Sequence, residues 1–214
     1  GFLMAATAGR TTLLGEGLQH QDGHSLVLAS TVPACQAYDP AFAYEMGAIV
    51  KAGLHRMYGP DTANEDERDV FYYVTLYNEN YPMPAATTDT SFAGGGEGAG
   101  ESGAVRGLYR WAPAPEGPSK RATIVFSGSA HTAAREAAAE LAEHYDVAAE
   151  LWSATSYKLL REDALAVERR NRLHPSREPE VPLVTRLLHE SEGPITAVTD
   201  FMAAVPDQIS RFAP

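Results

Sequence analysis

The sequence predicts an α/β protein built on parallel sheet, in two parts joined by a glycine-rich stretch. Three observations carry this. The second half alternates short apolar runs with helical periodicities, the pattern of strands linked by helical crossovers. In the first half, Val70–Tyr77 is dense enough in β-branched and aromatic residues to read as a central strand packed on both faces. Between them, residues 85–104 hold Gly94-Gly-Gly-Glu-Gly-Ala-Gly100 and almost nothing to bury, which reads as a flexible linker.

Taken in order, residues 2–7 read as a short buried strand ended by Ala8-Gly9. Ser25–Ser30 suits either a short helix or a strand, and Val32–Ala37 is a further strand candidate. Asp39 as N-cap and Pro40 in the first turn then predict a helix. Its apolar face is Phe42, Met46, Ile49, Val50, Leu54 and Met57, and Gly59-Pro60 ends it. Tyr72, Tyr73, Tyr77 and Tyr81 suggest a stacking platform, but buried rings with polar tips are the favoured reading.

Beyond the linker, Gly107–Trp111 reads as a strand, 113–118 as a turn and Ala122–Phe126 as a buried strand. A helix follows Ser127-Gly-Ser129, with Ser129 as its N-cap and Ala134, Ala137, Ala138, Leu141 and Tyr145 on one face. Val147–Trp152 is a strand, Tyr157–Leu173 and Pro182–His189 are helices, and Ile195–Val198 is a last strand before a helical segment.

The 214 residues carry a net charge of -11, which argues against nonspecific binding to nucleic acid or anionic membrane. No apolar run approaches the ~18 residues needed to span a bilayer. The single cysteine, Cys35, is expected to be a small buried residue, and the whole suits a soluble protein of a reducing cytoplasm. The chain opens inside an apolar run and ends after a helical segment, so it reads as an internal piece of a longer polypeptide.

Chemistry concentrates in Gly15-Glu-Gly-Leu-Gln-His-Gln-Asp-Gly-His-Ser25, where three glycines, two acids and two histidines share eleven residues. His20 and His24 stand at a spacing that can present two imidazoles to a metal, but Gly23 between them makes a helix doubtful. A polar surface loop is a second reading. A third is an active-site loop, in which glycines let backbone approach a ligand and an imidazole exchanges protons near neutral pH. Asp22 is a candidate cap for the segment that follows. Ser127-Gly-Ser129 is better read as a strand-to-helix turn than as an anion cradle. His131, His144, His174 and His189 are expected to be surface or structural, and no metal site is assigned.

The block Gly9–Ser25 is also where a resemblance enters. It is similar to the homodimeric bacterial-type pyruvate dehydrogenase E1 family of transketolase-like thiamine diphosphate enzymes. Further matching blocks are Ala37–Glu45, Gly53–Gly59, Leu76–Pro84, Ser127–Ser129 with Arg135–Ala137, Trp152–Ser156, Arg169–Pro175 and Thr199–Asp200. The resemblance implies a transketolase-type α/β fold: residues 1–84 the back half of a pyrimidine-binding parallel-sheet domain, 85–104 a linker, and 105–214 most of a C-terminal Rossmann-like domain.

It also implies oxidative decarboxylation of pyruvate with thiamine diphosphate and Mg2+. The acetyl group would pass to the lipoyl domain of the E2 dihydrolipoyl acetyltransferase, in a bacterial cytoplasmic homodimer with no nucleic-acid or membrane partner. By position, His20 matches the family's active-site histidine. Gly15, Glu16, Gly17 and Gln19 would shape its loop, with Asp22 and His24 in support. The groups that activate thiamine and hold its diphosphate and metal are expected upstream of residue 1, leaving this piece inactive alone. The alternative is a noncatalytic dimerisation or assembly module.

Overall fold

The computed structural model describes residues 3–4, 20–60, 68–77, 80–86 and 102–214. Among the described elements the first is a short helix, α1 (Ser25–Ala29), which settles the ambiguity over 25–30. Strand β1 (Cys35–Tyr38), helix α2 (Ala43–Tyr58) and strand β2 (Phe71–Val74) follow, and β1 and β2 pair in parallel from Cys35↔Phe71 to Tyr38↔Val74. Helix α3 (Gly103–Arg106) leads into β3 (Tyr109–Ala112) and β4 (Lys120–Phe126). A 3₁₀ turn over Gly128–Ala130 opens α4 (His131–His144), which returns to β5 (Val147–Ser153). Helices α5 (Tyr157–Leu173) and α6 (Leu183–Leu188) precede β6 (Ile195–Val198) and a 3₁₀ segment, Pro206–Phe212.

The larger sheet has the order β3-β5-β4-β6, with β4 parallel to both neighbours and β3 antiparallel at the edge. The fold class is thus α/β, as predicted, with one antiparallel edge strand. Chain order leaves β4 toward β5 on one side and comes back to β6 on the other. A topological switch point therefore lies at the carboxyl ends of β4 and β6, the place where open α/β sheets bind ligands.

Helix α5 shows how local sequence fixes an element. The Ser156 hydroxyl accepts from the Leu159 N–H (3.2 Å) at its start, and Tyr157, Leu160, Ala164 and Val167 form its buried face. The core then crosses between the two parts. Leu26, Cys35 and Ala37 pack with Leu108, Trp152, Leu160 and Phe201, and Ala41 and Phe42 pack with Ile124, Phe126 and Leu151. Cys35 is a buried core residue, as expected.

Several expectations are corrected. Leu3 and Met4, from the strand predicted over 2–7, are exposed and in no strand; the rest of that run lies outside the described residues. Val70–Tyr77 supplies only a four-residue strand whose Phe71 and Tyr73 face outward, because β-branched density reports fit to a pleated surface and not burial on both sides. Helix α2 begins after Phe42 rather than after Asp39, and it buries Glu45, Ile49 and Gly53 while Val50 and Leu54 are exposed. The buried row turns round the helix because Glu45 is drawn in by donors. Gly53 yields to the Tyr72 ring, which would stand 3.0 Å from a Cβ there. The linker predicted over 85–104 ends too late: Gly103 and Ala104 are buried in α3, which Gly107 closes with a left-handed φ of 105°.

Candidate active site

Of the loop residues singled out by sequence, Gly15, Glu16, Gly17 and Gln19 lie outside the described residues. His20 is exposed. Asp22 acts on its own chain: its carboxylate accepts from the His24 N–H (3.1 Å), from the Ser25 N–H (2.9 Å) and from the Ser25 hydroxyl. It thereby caps α1, satisfying donors that a helix start leaves orphaned. The His24 imidazole is exposed, with Nδ1 4.0 Å from the Asp22 carboxylate. Among the described residues no three His, Cys, Asp or Glu side chains gather as a metal site.

What seats this loop is the far end of the chain. The Gly23 carbonyl accepts from the Met202 N–H at 2.9 Å, just beyond β6. Met202 in turn follows a turn anchored at the switch point. The Ser127 hydroxyl donates to Thr199 Oγ1 (3.1 Å), the Phe201 N–H donates to the same oxygen (3.2 Å), and the Ser129 hydroxyl donates to Asp200 Oδ2 (3.1 Å). Ser129 does not cap α4, the role expected from sequence: it lies inside the 3₁₀ turn, Ala130 precedes the helix, and the Ser129 hydroxyl donates to a carboxylate distant in sequence. The Ser127–Ser129 turn is not an anion cradle either. The Gly128 N–H donates to the Asp39 carbonyl, and Tyr77 and Asp39 cover its Cα so closely that a Cβ would lie 1.8 Å from the Tyr77 hydroxyl.

Sequence reasoning missed the joint that holds the two parts together. Asp39 stands where the carboxyl ends of β1 and β2 meet those of β4 and β5. Its N–H donates to Thr155 O (2.8 Å), and its carboxylate accepts from the Thr75 hydroxyl (2.5 Å) and the Tyr77 hydroxyl (2.6 Å). Glu45, 0% exposed, accepts from the Ala41 (2.6 Å) and Phe42 (3.0 Å) N–H groups through one oxygen. Through the other it accepts from Tyr109 (2.6 Å) and Ser153 (2.6 Å). Burial pushes its carboxyl up from the ordinary range, against the pull of those four donors. The available signal was a glutamate three residues after Phe42, the position that caps back onto a helix start. Ser156 adds a hydroxyl to Ala37 O (2.7 Å), and Tyr38 one to Val105 O (2.8 Å).

His131, expected from sequence to be surface or structural, is buried. It is 1% exposed, with ring centroids 4.9 Å from Phe42 and 4.6 Å from Tyr81. Burial, helped by Arg135, lowers its pKa to about 4. Two half-buried tyrosines follow the polar-tip reading: Tyr77 donates to Asp39, and Tyr81 donates to Ala41 O.

A recess of about 10 Å³ lies behind α1, among Leu26, Asp39, Tyr157, Lys158, Val205 and Gln208. That is room for about one water molecule. Neither this recess nor any metal-ligating cluster among the described residues fits thiamine diphosphate and Mg2+.

Comparison with known proteins gives these observations a frame. Residues 1–84 match the pyruvate dehydrogenase E1 component middle domain, and residues 107–213 match the transketolase-like TK C-terminal domain. Over all 214 residues the chain is 48% identical to the pyruvate dehydrogenase E1 component of Mycobacterium tuberculosis and 42% identical to that of Escherichia coli. It spans 22% of the length of each. A solved transketolase from Pichia stipitis aligns with a TM-score of 0.49 and 16% identity, covering 97% of this chain and 27% of that one. Since the two domain models together match residues 1–84 and 107–213, the chain belongs to the pyruvate dehydrogenase E1 component family, with a transketolase-like C-terminal region.

Proposed function

We propose that the complete protein containing this chain is a pyruvate dehydrogenase (acetyl-transferring) E1 component. It decarboxylates pyruvate with thiamine diphosphate and Mg2+ and passes the acetyl group to the lipoyl group of the E2 dihydrolipoyl acetyltransferase. In the same step two electrons reduce the lipoyl disulfide. It works as a homodimer in the bacterial cytoplasm; among the described residues no helix is long and apolar enough to cross a membrane. The carrying observation is identity of 42–48% along the whole chain with proteins of that name.

Within this reading His20 is the catalytic residue supplied by this chain. Its imidazole is exposed beside a backbone held by the Asp22 cap and the Met202 bond, which leaves it open to a substrate. Its work is to hydrogen-bond a substrate-derived oxygen or carboxylate, or to transfer a proton as the lipoyl group is reduced. Gly15, Glu16, Gly17 and Gln19 are assigned to shaping the loop, and His24 to its support. In a complete E1 component containing this chain, His20→Ala is expected to slow acetylation of the lipoyl domain by about 10²–10⁴-fold. Folding should survive, because the side chain is exposed. An unchanged rate would remove His20 from the chemistry, and a complete protein that releases no carbon dioxide from pyruvate would remove the activity.

A second reading takes the chain alone as a noncatalytic assembly piece with residues 85–104 as its linker, supported by the core that its two parts share. Titrating thiamine diphosphate with Mg2+ into the isolated chain tests it. No saturable binding is expected, and tight binding would contradict it.

A further inference from the structure

We infer that Thr199 is a positioning residue for His20, acting through the turn that follows β6. The inference rests on the His20 reading above and deepens it, because it gives the second part of the chain a share in the chemistry. The connection is short and continuous. Gly23, three residues after His20, accepts from the Met202 N–H at 2.9 Å, and the backbones approach closely enough that a Cβ on Gly23 would stand 3.9 Å from that nitrogen. The helix that follows the loop points the same way, since Leu26 is buried in one cluster with Phe201, Val205 and Ile209.

The direction of the Met202 N–H is set by the turn before it, and Thr199 Oγ1 is the hub of that turn. It accepts from the Phe201 N–H at 3.2 Å and from the hydroxyl of Ser127 at 3.1 Å, and Ser127 is fully buried at the end of β4. One hydroxyl thus ties the ends of two parallel strands to the backbone that carries the His20 loop. The switch point, where such sheets bind ligands, here anchors a loop instead.

The test is a double-mutant cycle in the complete E1 component, read as the rate of lipoyl-domain acetylation. Thr199→Val keeps the side-chain shape and removes the hub. It is expected to lower the rate by about tenfold, the scale on which sub-ångström misplacement of a catalytic group acts. Thr199→Ser, which keeps the hydroxyl, should restore the rate to within about twofold. In a His20→Ala background, Thr199→Val should change the rate by less than about twofold, because the group it positions is gone.

Ser127→Ala, which removes the brace and leaves Thr199 in place, should show the same dependence on His20. It serves if Thr199→Val melts at the assay temperature. Equal losses with and without His20 would mean a general structural role and overturn the inference, as would a wild-type rate in both Thr199→Val and Ser127→Ala. A wild-type rate in His20→Ala alone would instead sink the His20 reading on which the inference stands.

Discussion

Replacing Glu45 tests whether the joint between the two parts is held by paired polar groups. The carboxylate is 0% exposed and accepts four donors, two of them backbone N–H groups of Ala41 and Phe42 that cannot turn elsewhere. Glu45→Ala leaves the two backbone donors without their acceptor in a cavity and removes one acceptor from each hydroxyl. At about 1–3 kcal/mol for each buried donor left without an acceptor, the two backbone groups alone bring the loss to about 4 kcal/mol. That is a large part of the ~5–15 kcal/mol that holds a domain folded. Glu45→Gln keeps the volume and one oxygen for the backbone pair. Its amide can donate to Tyr109 and Ser153, whose hydroxyls rotate to accept, so it should cost only about 1 kcal/mol. Urea unfolding followed by Trp111 and Trp152 fluorescence measures both. If the alanine variant lay within about 1 kcal/mol of the glutamine variant, the donors would not be acting as argued. The pH dependence adds a second check. Burial raises the folded pKa of Glu45 above its ordinary 4.5, so above that pH the folded chain still holds a proton that the unfolded chain has released. Stability therefore falls as pH rises from 4.5 through the folded pKa, and Glu45→Gln should lose that dependence.

Gly128→Ala should destabilise by about 3 kcal/mol, from a side chain in the left-handed region and the lost charge-assisted bond. Its φ is +50°, and its Cβ would meet the Tyr77 hydroxyl at 1.8 Å, forcing that ring off Asp39. Tyr77→Phe should recover part of the loss in that background while destabilising the native chain, and strict additivity in denaturation would refute the contact. His131→Phe should remove the contribution to stability that rises with pH between about 4 and 6.5, leaving the opposite contribution of Glu45. Burial holds the folded pKa near 4 against 6.5 unfolded, so the native histidine withdraws stability as pH falls through that interval. Phenylalanine fits the contacts with Phe42 and Tyr81, and thermal melts at several pH values would show whether that contribution disappears.

Elements closed by local signals were legible in the sequence. Tyr157–Leu173 has Ser156 before it and Ile195–Val198 has Gly193-Pro194 before it, and both appear with the bounds read from sequence. Reading failed where a side chain's partner is remote. Asp39-Pro40 has the form of a helix start, but the Asp39 carboxylate is taken by Thr75 and Tyr77, which local sequence cannot show. Ser129 has the form of an N-cap, but it lies inside a 3₁₀ turn braced by its bond to Asp200, and Ala130 precedes the helix. Ala104 looks like linker composition and is buried because Thr155 donates to its carbonyl at 2.6 Å. The site divides the same way. The histidines and the Asp22 cap are visible in one short stretch, whereas the Met202 bond that seats them depends on the whole fold between.

The manner in which the two sheets meet explains why so much of the site's support lies outside the loop. Both sheets direct the carboxyl ends of their parallel strands toward the joint. Asp39 donates its N–H across it to Thr155 and accepts the Gly128 N–H in return, while Ser153 and Tyr109 reach Glu45. In a water-poor joint built of paired polar groups, a slip of either part would unpair several donors together, and each carries its own penalty. An apolar joint would tolerate small slides at little expense. This one specifies a single mutual orientation, and the His20 loop hangs from both sides of it: from β1 through α1, and from β6 through Met202. Held at two points on that joint, α1 and the Gly23 backbone carry the described part of the His20 loop.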